Sequence, residues 1–139
     1  MNLVMKMKKL INSFKYAIEG IFSSFKTEQN MKIHLSLVIL VVILGIVLKI
    51  TKFEWIICII LFGFVISLEL INTAIENTVD LITLEKNDKA KLIKDISAGA
   101  VLISAITSAI VGLIIFIPKV IWSQNLIFIY QRHHLCFCV

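Results

Sequence analysis

Apolar residues dominate three long stretches of the chain, at residues 33–50, 53–82 and 91–117. A helix of about 20 apolar residues, rising about 1.5 Å per residue, crosses the roughly 30 Å hydrocarbon core of a bilayer. The pattern therefore predicts an all-α integral membrane fold with three transmembrane helices. The second stretch would be about 45 Å long as a helix, so we expect it to extend beyond the hydrocarbon into the interface.

A different pattern comes before the first of these stretches. Over residues 3–25, apolar side chains recur every three or four positions, and lysines mostly fill the positions between them. This spacing is typical of a basic amphipathic helix that lies on the membrane surface. Hydrophobic residues make up 59% of the chain and the mean hydropathy is +0.97, values that exclude an ordinary soluble globular protein.

The second apolar stretch is interrupted by a stripe of polar side chains. Glu69, Asn72, Glu76 and Asp80 are spaced at i, i+3, i+7 and i+11, which places all four on one face of a helix. A carboxylate near the bilayer centre costs about 3 kcal/mol, so acids within a span mark a functional site. We expect Glu69 at the hydrocarbon edge and the other two acids in the interface. Three helices do not easily enclose such a stripe, and we therefore expect an oligomer that buries it between subunits.

The distribution of basic residues predicts the orientation in the membrane. Ten lysines lie before the first span or between the second and third, and only four basic residues lie on the other side. By the positive-inside rule, the N-terminus and the acidic stripe face the cytoplasm, where ATP is available. The net charge of +5 suits anionic lipid or a phosphorylated ligand and does not indicate nucleic-acid binding. No P-loop or dinucleotide-binding fingerprint occurs, which argues against a soluble nucleotide-binding fold.

Two blocks of the sequence resemble the prokaryotic diacylglycerol kinase family, trimeric enzymes with three membrane spans that include the undecaprenol kinases of Gram-positive bacteria. The blocks are ELINTAIENTVD at residues 69–80 and AKLIKDISAGAVL at residues 90–102, and the resemblance covers residues 14–118. It implies a homotrimer that transfers the γ-phosphate of ATP to a membrane lipid hydroxyl, with Mg²⁺ as cofactor. The segment EQNMKIH at residues 28–34 resembles the Gram-positive branch, which favours undecaprenol as the substrate.

The resemblance also implies roles for individual residues. It makes Glu69 the general base that accepts the proton of the lipid alcohol, and it makes Glu28 and Glu76 the ligands of Mg²⁺. Asn72 and Asp80 match supporting residues of the active site. The implied nucleotide contacts are Tyr16, Glu28, Glu76, Glu85, Lys86, Asn87, Lys94 and Asp95. The implied lipid-binding residues are Lys9 and Glu69.

Elementary chemistry agrees with these roles. Phosphoryl transfer needs mainly positioning and neutralisation of charge, and Mg²⁺ favours one or two carboxylates together with phosphate oxygens and water. Lys94 would supply a cation for phosphate. Some of the residues also have structural alternatives. Asp95 lies one turn after Lys91 and suits an ion pair with it, while Tyr16 would equally anchor a surface helix.

Residues 119–139 depart from the family pattern and form an atypical tail after the kinase domain, which we place at residues 1–118. The tail contains His133, His134, Cys136 and Cys138. These side chains lie too close together for the usual spacing of zinc ligands, so we expect no metal site there.

Other functions remain open at this stage. Diacylglycerol is the alternative lipid substrate, because both lipids present a hydroxyl at the interface. An alternative of another class is a small oligomeric cation channel or a holin-like protein, with the acidic stripe lining the pore. A pore conducts without ATP, whereas a kinase binds nucleotide in a magnesium-dependent way. A purely structural adaptor leaves the cost of burying Glu69 unexplained.

Overall fold

The computed structural model describes residues 3–83, 85 and 87–136, with side chains described up to residue 122. This part of the chain forms four helices and contains no strand: α1 (Leu3–Thr27), α2 (Gln29–Val47), α3 (Lys52–Ile82) and α4 (Asp88–Cys136). Three helices are long and apolar enough to cross a membrane, namely α2, α3 and the part of α4 up to Trp122. The all-helical fold with three candidate spans is therefore confirmed.

A single residue, Glu28, separates α1 from α2. Its backbone is extended (φ −91°, ψ 125°), and its side chain does not cap the helix that follows. Its amide N–H still donates to the carbonyl of Ser24, at 2.9 Å, so the backbone is continuously hydrogen-bonded up to the break. The Glu28 carboxylate is consequently not used by the end of α2 and remains available for another ligand.

The turn between α2 and α3 is tight and is built from two capping motifs. Lys49 adopts φ 50°, and the Ile50 amide donates to the Gly45 carbonyl at 3.0 Å, which is the Schellman pattern of a helix C-terminus. Thr51 and Glu54 then form a capping box that starts α3. These local bonds satisfy the backbone groups at the ends of both helices, so α2 and α3 form an antiparallel hairpin.

Helix α4 begins three residues before its predicted start and continues past its predicted end at residue 117. Asn87 begins the helix, since its Oδ1 accepts hydrogen bonds from the amides of Lys89 (2.9 Å) and Ala90 (3.3 Å). Pro118 lies inside the helix, although proline removes one backbone donor. In the next position, Lys119 Nζ lies 3.1 Å from Glu54 Oε2, so this ion pair holds the continuing helix against the start of α3.

Helices α3 and α4 make the most extensive contact in the fold, and α1 and α2 pack against them more lightly. Ser104 of α4 is fully buried in this contact, and an apolar cluster of Ile50, Cys58 and Ile115 lies towards the hairpin turn. At Gly45, a Cβ atom would come within 2.8 Å of the Trp55 ring, so a side chain at this position would separate α2 from α3. This apolar cluster thus occupies one end of the bundle, and the polar stripe lies towards the other.

Candidate active site

The polar stripe lies on α3 and passes from the interior of the fold to its surface. Glu69 is 2% exposed and Asn72 is 4% exposed, whereas Glu76 is half-buried and Asp80 is exposed. The structure thus brings the four residues onto one helix face, in the order that the spacing predicts. Their burial decreases steadily towards the loop between α3 and α4.

A single chain already buries Glu69 and Asn72, the inner half of the stripe, although three helices were not expected to enclose it easily. The reason is the close approach of α4 to α3. Ser97 of α4 is buried and its hydroxyl lies 2.6 Å from the Asn72 side-chain oxygen. Helix α4 therefore covers one flank of the stripe at Asn72, and Glu69 is enclosed without a second subunit.

A chain of hydrogen bonds connects α4 to Glu76. Asn72 Nδ2 donates to Glu76 Oε1 at 3.0 Å, and the Ser97 hydroxyl donates to Asn72 Oδ1. Because a carboxylate only accepts hydrogen bonds, the amide nitrogen of Asn72 must face Glu76 and its oxygen must face Ser97. The serine therefore orients the amide, and the amide holds one oxygen of the Glu76 carboxylate.

Glu69 is the least satisfied polar residue of the site. Its Oε2 atom is buried and has no hydrogen-bond partner among the described residues. His34, Glu76 and Glu28 lie close enough for their ionised forms to act on its carboxylate, so these four side chains share one electrostatic environment. An unpartnered buried carboxylate oxygen can accept the proton of a hydroxyl that comes within hydrogen-bond distance.

Glu28 reaches this environment from the break between α1 and α2. Its carboxylate is half-buried, and its Oε1 accepts a hydrogen bond of 3.1 Å from the Thr27 hydroxyl. Within the described residues, no three or more His, Cys, Asp or Glu side chains form a cluster that could hold a metal ion by themselves. The carboxylates of Glu28 and Glu76 suit Mg²⁺ nevertheless, because that ion commonly takes one or two carboxylates and completes its shell with phosphate oxygens and water.

Lys94 and Asp80 form an ion pair across the loop between α3 and α4. Lys94 Nζ lies 2.5 Å from Asp80 Oδ1, and both side chains are partly exposed. A pair exposed in this way contributes about 0–1 kcal/mol to stability. The ammonium group can thus exchange its partner at little cost, so this pairing is compatible with the predicted phosphate contact.

The other predicted nucleotide contacts are scattered over the same end of the fold. Glu85 and Asn87 are exposed in the loop, and Asp95 is exposed in the second turn of α4. Asn87 has a structural role as the cap of α4. Asp95 does not pair with Lys91 in the part of the chain that the structure describes.

The remaining predicted residues lie on α1 or outside the description. Tyr16 is 65% exposed and lines a groove between α1 and α3, and Lys9 is exposed about two turns earlier on the same helix. Lys86 lies outside the described residues, as does Cys138, and the side chains of His133, His134 and Cys136 are not described. The structure thus brings together Glu28, Glu69, Asn72, Glu76, Asp80 and Lys94.

Sequence reasoning missed three polar residues of this region: Ser97, Thr73 and His34. Ser97 and Thr73 are buried, and His34 acts electrostatically on Glu69. Thr73 follows Glu69 by one helical turn, a spacing that could have indicated its place beside the stripe. Ser97 carried no such signal, because its partner Asn72 lies 25 residues away in sequence.

Comparison with known proteins supports a single family. The prokaryotic diacylglycerol kinase model matches residues 15–116 of the chain. An undecaprenol kinase of Bacillus subtilis is 43% identical over 114 residues, which cover 82% of this chain and 93% of that protein. A diacylglycerol kinase of Synechocystis is 34% identical over 81% of this chain and 65% of its own length. A diacylglycerol kinase of Haemophilus influenzae is 35% identical over 76% of this chain and 86% of its own length.

Proposed function

The chain belongs to the prokaryotic diacylglycerol kinase family, and on this premise we propose that it transfers the γ-phosphate of ATP to the hydroxyl of undecaprenol, making undecaprenyl phosphate. The relative that favours this lipid is the undecaprenol kinase of Bacillus subtilis, which aligns along nearly its whole length. The reaction needs a group that accepts the hydroxyl proton, a cation that neutralises the phosphates and a means of holding both substrates.

One observation carries the proposal: the buried, unpartnered Oε2 atom of Glu69. A buried polar atom without a partner costs about 1–3 kcal/mol, so it is found where a ligand or a water completes it. In a lipid kinase, this partner is the acceptor hydroxyl. Glu69 would take the proton from the hydroxyl as the lipid oxygen forms its bond to the γ-phosphorus and the bond to the β-phosphate oxygen breaks.

Mg²⁺ and the nucleotide would occupy the more exposed part of the stripe. The residues that would hold the ion are Glu28, at the break between α1 and α2, and Glu76, which the Asn72 amide orients. The bound ion would neutralise charge on the β- and γ-phosphates. Lys94 would leave Asp80 and contact a phosphate, and Tyr16, Glu85, Lys86, Asn87 and Asp95 would line the nucleotide. Lys9 would attract the lipid and the nucleotide to the interface.

The setting of this reaction is the cytoplasmic face of the bacterial cell membrane. The ten-to-four distribution of basic residues supports this orientation for the N-terminus and the stripe. The alternation of apolar residues and lysines along α1 supports its assignment as a surface helix. We further propose that the enzyme is a homotrimer. Since one chain already buries Glu69, subunit contacts would stabilise the enzyme without being needed to enclose that residue.

Diacylglycerol is the second candidate substrate, and the relatives from Synechocystis and Haemophilus influenzae are the observation that favours it. Both lipids place a hydroxyl at the interface above an apolar tail, so the chemistry at Glu69 would be the same. The channel hypothesis loses its support, because the inner part of the acidic stripe is covered by α4 in a single chain.

The test is phosphate transfer from labelled ATP by the purified full-length protein in mixed micelles. Undecaprenol and diacylglycerol are offered separately, each with Mg²⁺ and with a chelator. We expect faster transfer to undecaprenol and none without the metal ion. Faster transfer to diacylglycerol would select the second candidate, and absence of transfer to either lipid from folded protein would refute the kinase assignment.

Glu69→Gln tests the role of the buried carboxylate. The amide keeps the size of the side chain but cannot accept the proton, so we expect a loss of turnover of at least about 100-fold, the usual contribution of a general base. The affinity for ATP and the thermal unfolding temperature should change little. Transfer at the wild-type rate, or lost nucleotide binding in a protein that still folds, would contradict this role.

A further inference from the structure

His34 is a polar residue of the helical bundle to which the proposed reaction assigns no task. It lies near the start of α2, is half-buried, and lines a cavity of about 420 Å³ between α2, α3 and α4. Nearly all the other residues that line this cavity are apolar. Since a polar ring in apolar surroundings costs free energy unless it has a polar partner, the neighbouring helices are the place to look for one.

The register of the α2–α3 hairpin places His34 beside Glu69. Gly45 of α2 packs against the ring of Trp55 of α3. His34 lies eleven residues before Gly45. Ile66 lies eleven residues after Trp55, so it faces His34 across the antiparallel pair, and both residues line the same cavity. Glu69 follows Ile66 by about one helical turn, which brings its carboxylate within reach of the imidazole ring.

The charged groups around His34 are mostly acidic. Glu69 and Glu76 come from α3 and Glu28 comes from the junction of α1 and α2, and these acids share one electrostatic environment with the histidine. On α2 itself, Lys32 is exposed two positions earlier. The part of α4 that lines the cavity contributes uncharged residues. The imidazole is therefore placed to exchange a proton with a carboxylate.

The proposed reaction leaves a proton on Glu69, and this proton must leave before the next turnover. Glu69 is 2% exposed, so it does not release the proton directly to water. Glu28 and Glu76 are the proposed ligands of Mg²⁺, and a carboxylate that binds a metal ion is a poor proton acceptor, because proton and metal compete for it. His34 is only half-buried, and a histidine accepts and releases protons near neutral pH.

We propose that His34 is the proton relay of the lipid kinase reaction, taking the proton from Glu69 after phosphate transfer and releasing it to water at the cytoplasmic interface. This inference rests on the proposed function and adds a residue to it. In the first step, the O–H bond of the Glu69 carboxyl group breaks and an N–H bond forms at the unprotonated ring nitrogen of His34, which leaves a carboxylate and an imidazolium. In the second step, the imidazolium gives the proton to water, and both side chains return to their starting states.

The first test removes the ring nitrogens, in His34→Gln and His34→Ala of the full-length protein. We expect kcat to fall by about 100-fold, the lower limit of the usual contribution of a side chain that transfers protons, while the KM values for ATP and for the lipid stay within about twofold. An unchanged kcat, or a loss of activity that comes from KM alone, would overturn the proposal.

Added imidazole distinguishes a proton relay from a structural role. His34→Ala leaves a space that imidazole from the buffer can enter, and we expect at least about fivefold recovery of kcat in this variant. The recovery should increase from about pH 6 to about pH 8, because the neutral ring accepts the proton. Val38→Ala is the matched control, since Val38 lines the same cavity one turn further along α2 and does not titrate. Equal responses of the two variants to imidazole would refute the relay.

The second test needs no turnover, so it separates this inference from the proposed function. The nitrogen chemical shifts of isotope-labelled histidine follow the protonation of each ring, and His34→Gln identifies the signal of His34 among the three histidines. Titrations are compared between Glu69→Gln and Glu19→Gln, which removes an exposed carboxylate of α1. We expect the midpoint of His34 to shift by about one pH unit in Glu69→Gln and to keep its wild-type value in Glu19→Gln.

The two hypotheses then fail in different ways. If the wild type phosphorylates no lipid but the midpoint of His34 depends on Glu69, the kinase assignment fails and the pairing of the two side chains stands. If Glu69→Gln and Glu19→Gln give the same midpoint, His34 is not coupled to Glu69 and the relay is refuted, whatever the activity.

Discussion

Removal of the Ser97 hydroxyl is the sharpest test of the geometry that orients Glu76. In Ser97→Ala, Asn72 loses a donor that lies 2.6 Å from its Oδ1 atom. Ser97 is 8% exposed and Asn72 is 4% exposed, so water does not easily replace the hydroxyl. A buried acceptor left without a partner costs about 1–3 kcal/mol, and we expect the free energy of unfolding to fall by that amount.

The same substitution should also change the response to Mg²⁺. Without Ser97, the Asn72 amide is no longer held in one orientation, and the Glu76 carboxylate loses the fixed donor that lies 3.0 Å from its Oε1 atom. A supporting hydrogen bond to a metal ligand typically affects metal affinity by about 10- to 100-fold. We expect the Mg²⁺ concentration for half-maximal transfer to rise by about tenfold, with a smaller effect on the KM for the lipid.

Ser108→Ala is the matched control for this experiment. Ser108 lies on the same helix and is half-buried, but its hydroxyl bonds only to the Ser104 carbonyl of its own helix, at 2.8 Å. This local bond contributes little, since the carbonyl also belongs to the helical ladder. The assays are denaturant unfolding in detergent and a Mg²⁺ titration of phosphate transfer. If Ser97→Ala matched Ser108→Ala in both assays, the connection from α4 through Asn72 to Glu76 would be refuted.

Two further predictions concern the ends of the helices. Lys49→Gly should stabilise the fold by up to about 1 kcal/mol. Lys49 has φ 50°, where a side chain costs about 1–2 kcal/mol, whereas glycine loses only its greater freedom in the unfolded chain. A lower free energy of unfolding in detergent would contradict this prediction. Asn87→Ala should cost about 1 kcal/mol by removing the cap of α4, and Asn87→Asp should keep most of it. Equal stability of the two Asn87 variants would refute the capping role, and a KM for ATP that rises in both would support the predicted nucleotide contact.

Periodicity predicted those parts of the structure that depend on a single helix. The spacing of Glu69, Asn72, Glu76 and Asp80 fixes their common face once α3 forms, and the length of the apolar stretches fixes the number of candidate spans. The depth of burial did not follow from this spacing, because it depends on which helix packs on which flank.

The features that the sequence could not predict are contacts between distant residues. The bond between Ser97 and Asn72 joins two helices, and so does the ion pair between Lys119 and Glu54. Pro118 is normally read as a helix end, yet this ion pair helps to hold the next turn of α4 beside α3. The identity of each partner is set by the packing of α3 on α4, which local patterns do not encode.

The single-residue break at Glu28 has a mechanical consequence. With no linker between α1 and α2, the angle between the two helices depends mainly on the two backbone torsions of Glu28, since the peptide bonds on either side are planar. The same residue carries a carboxylate of the acidic site. A rotation of α1 relative to α2 therefore displaces that carboxylate directly, so the tilt of α1 is coupled to the geometry of the acidic site.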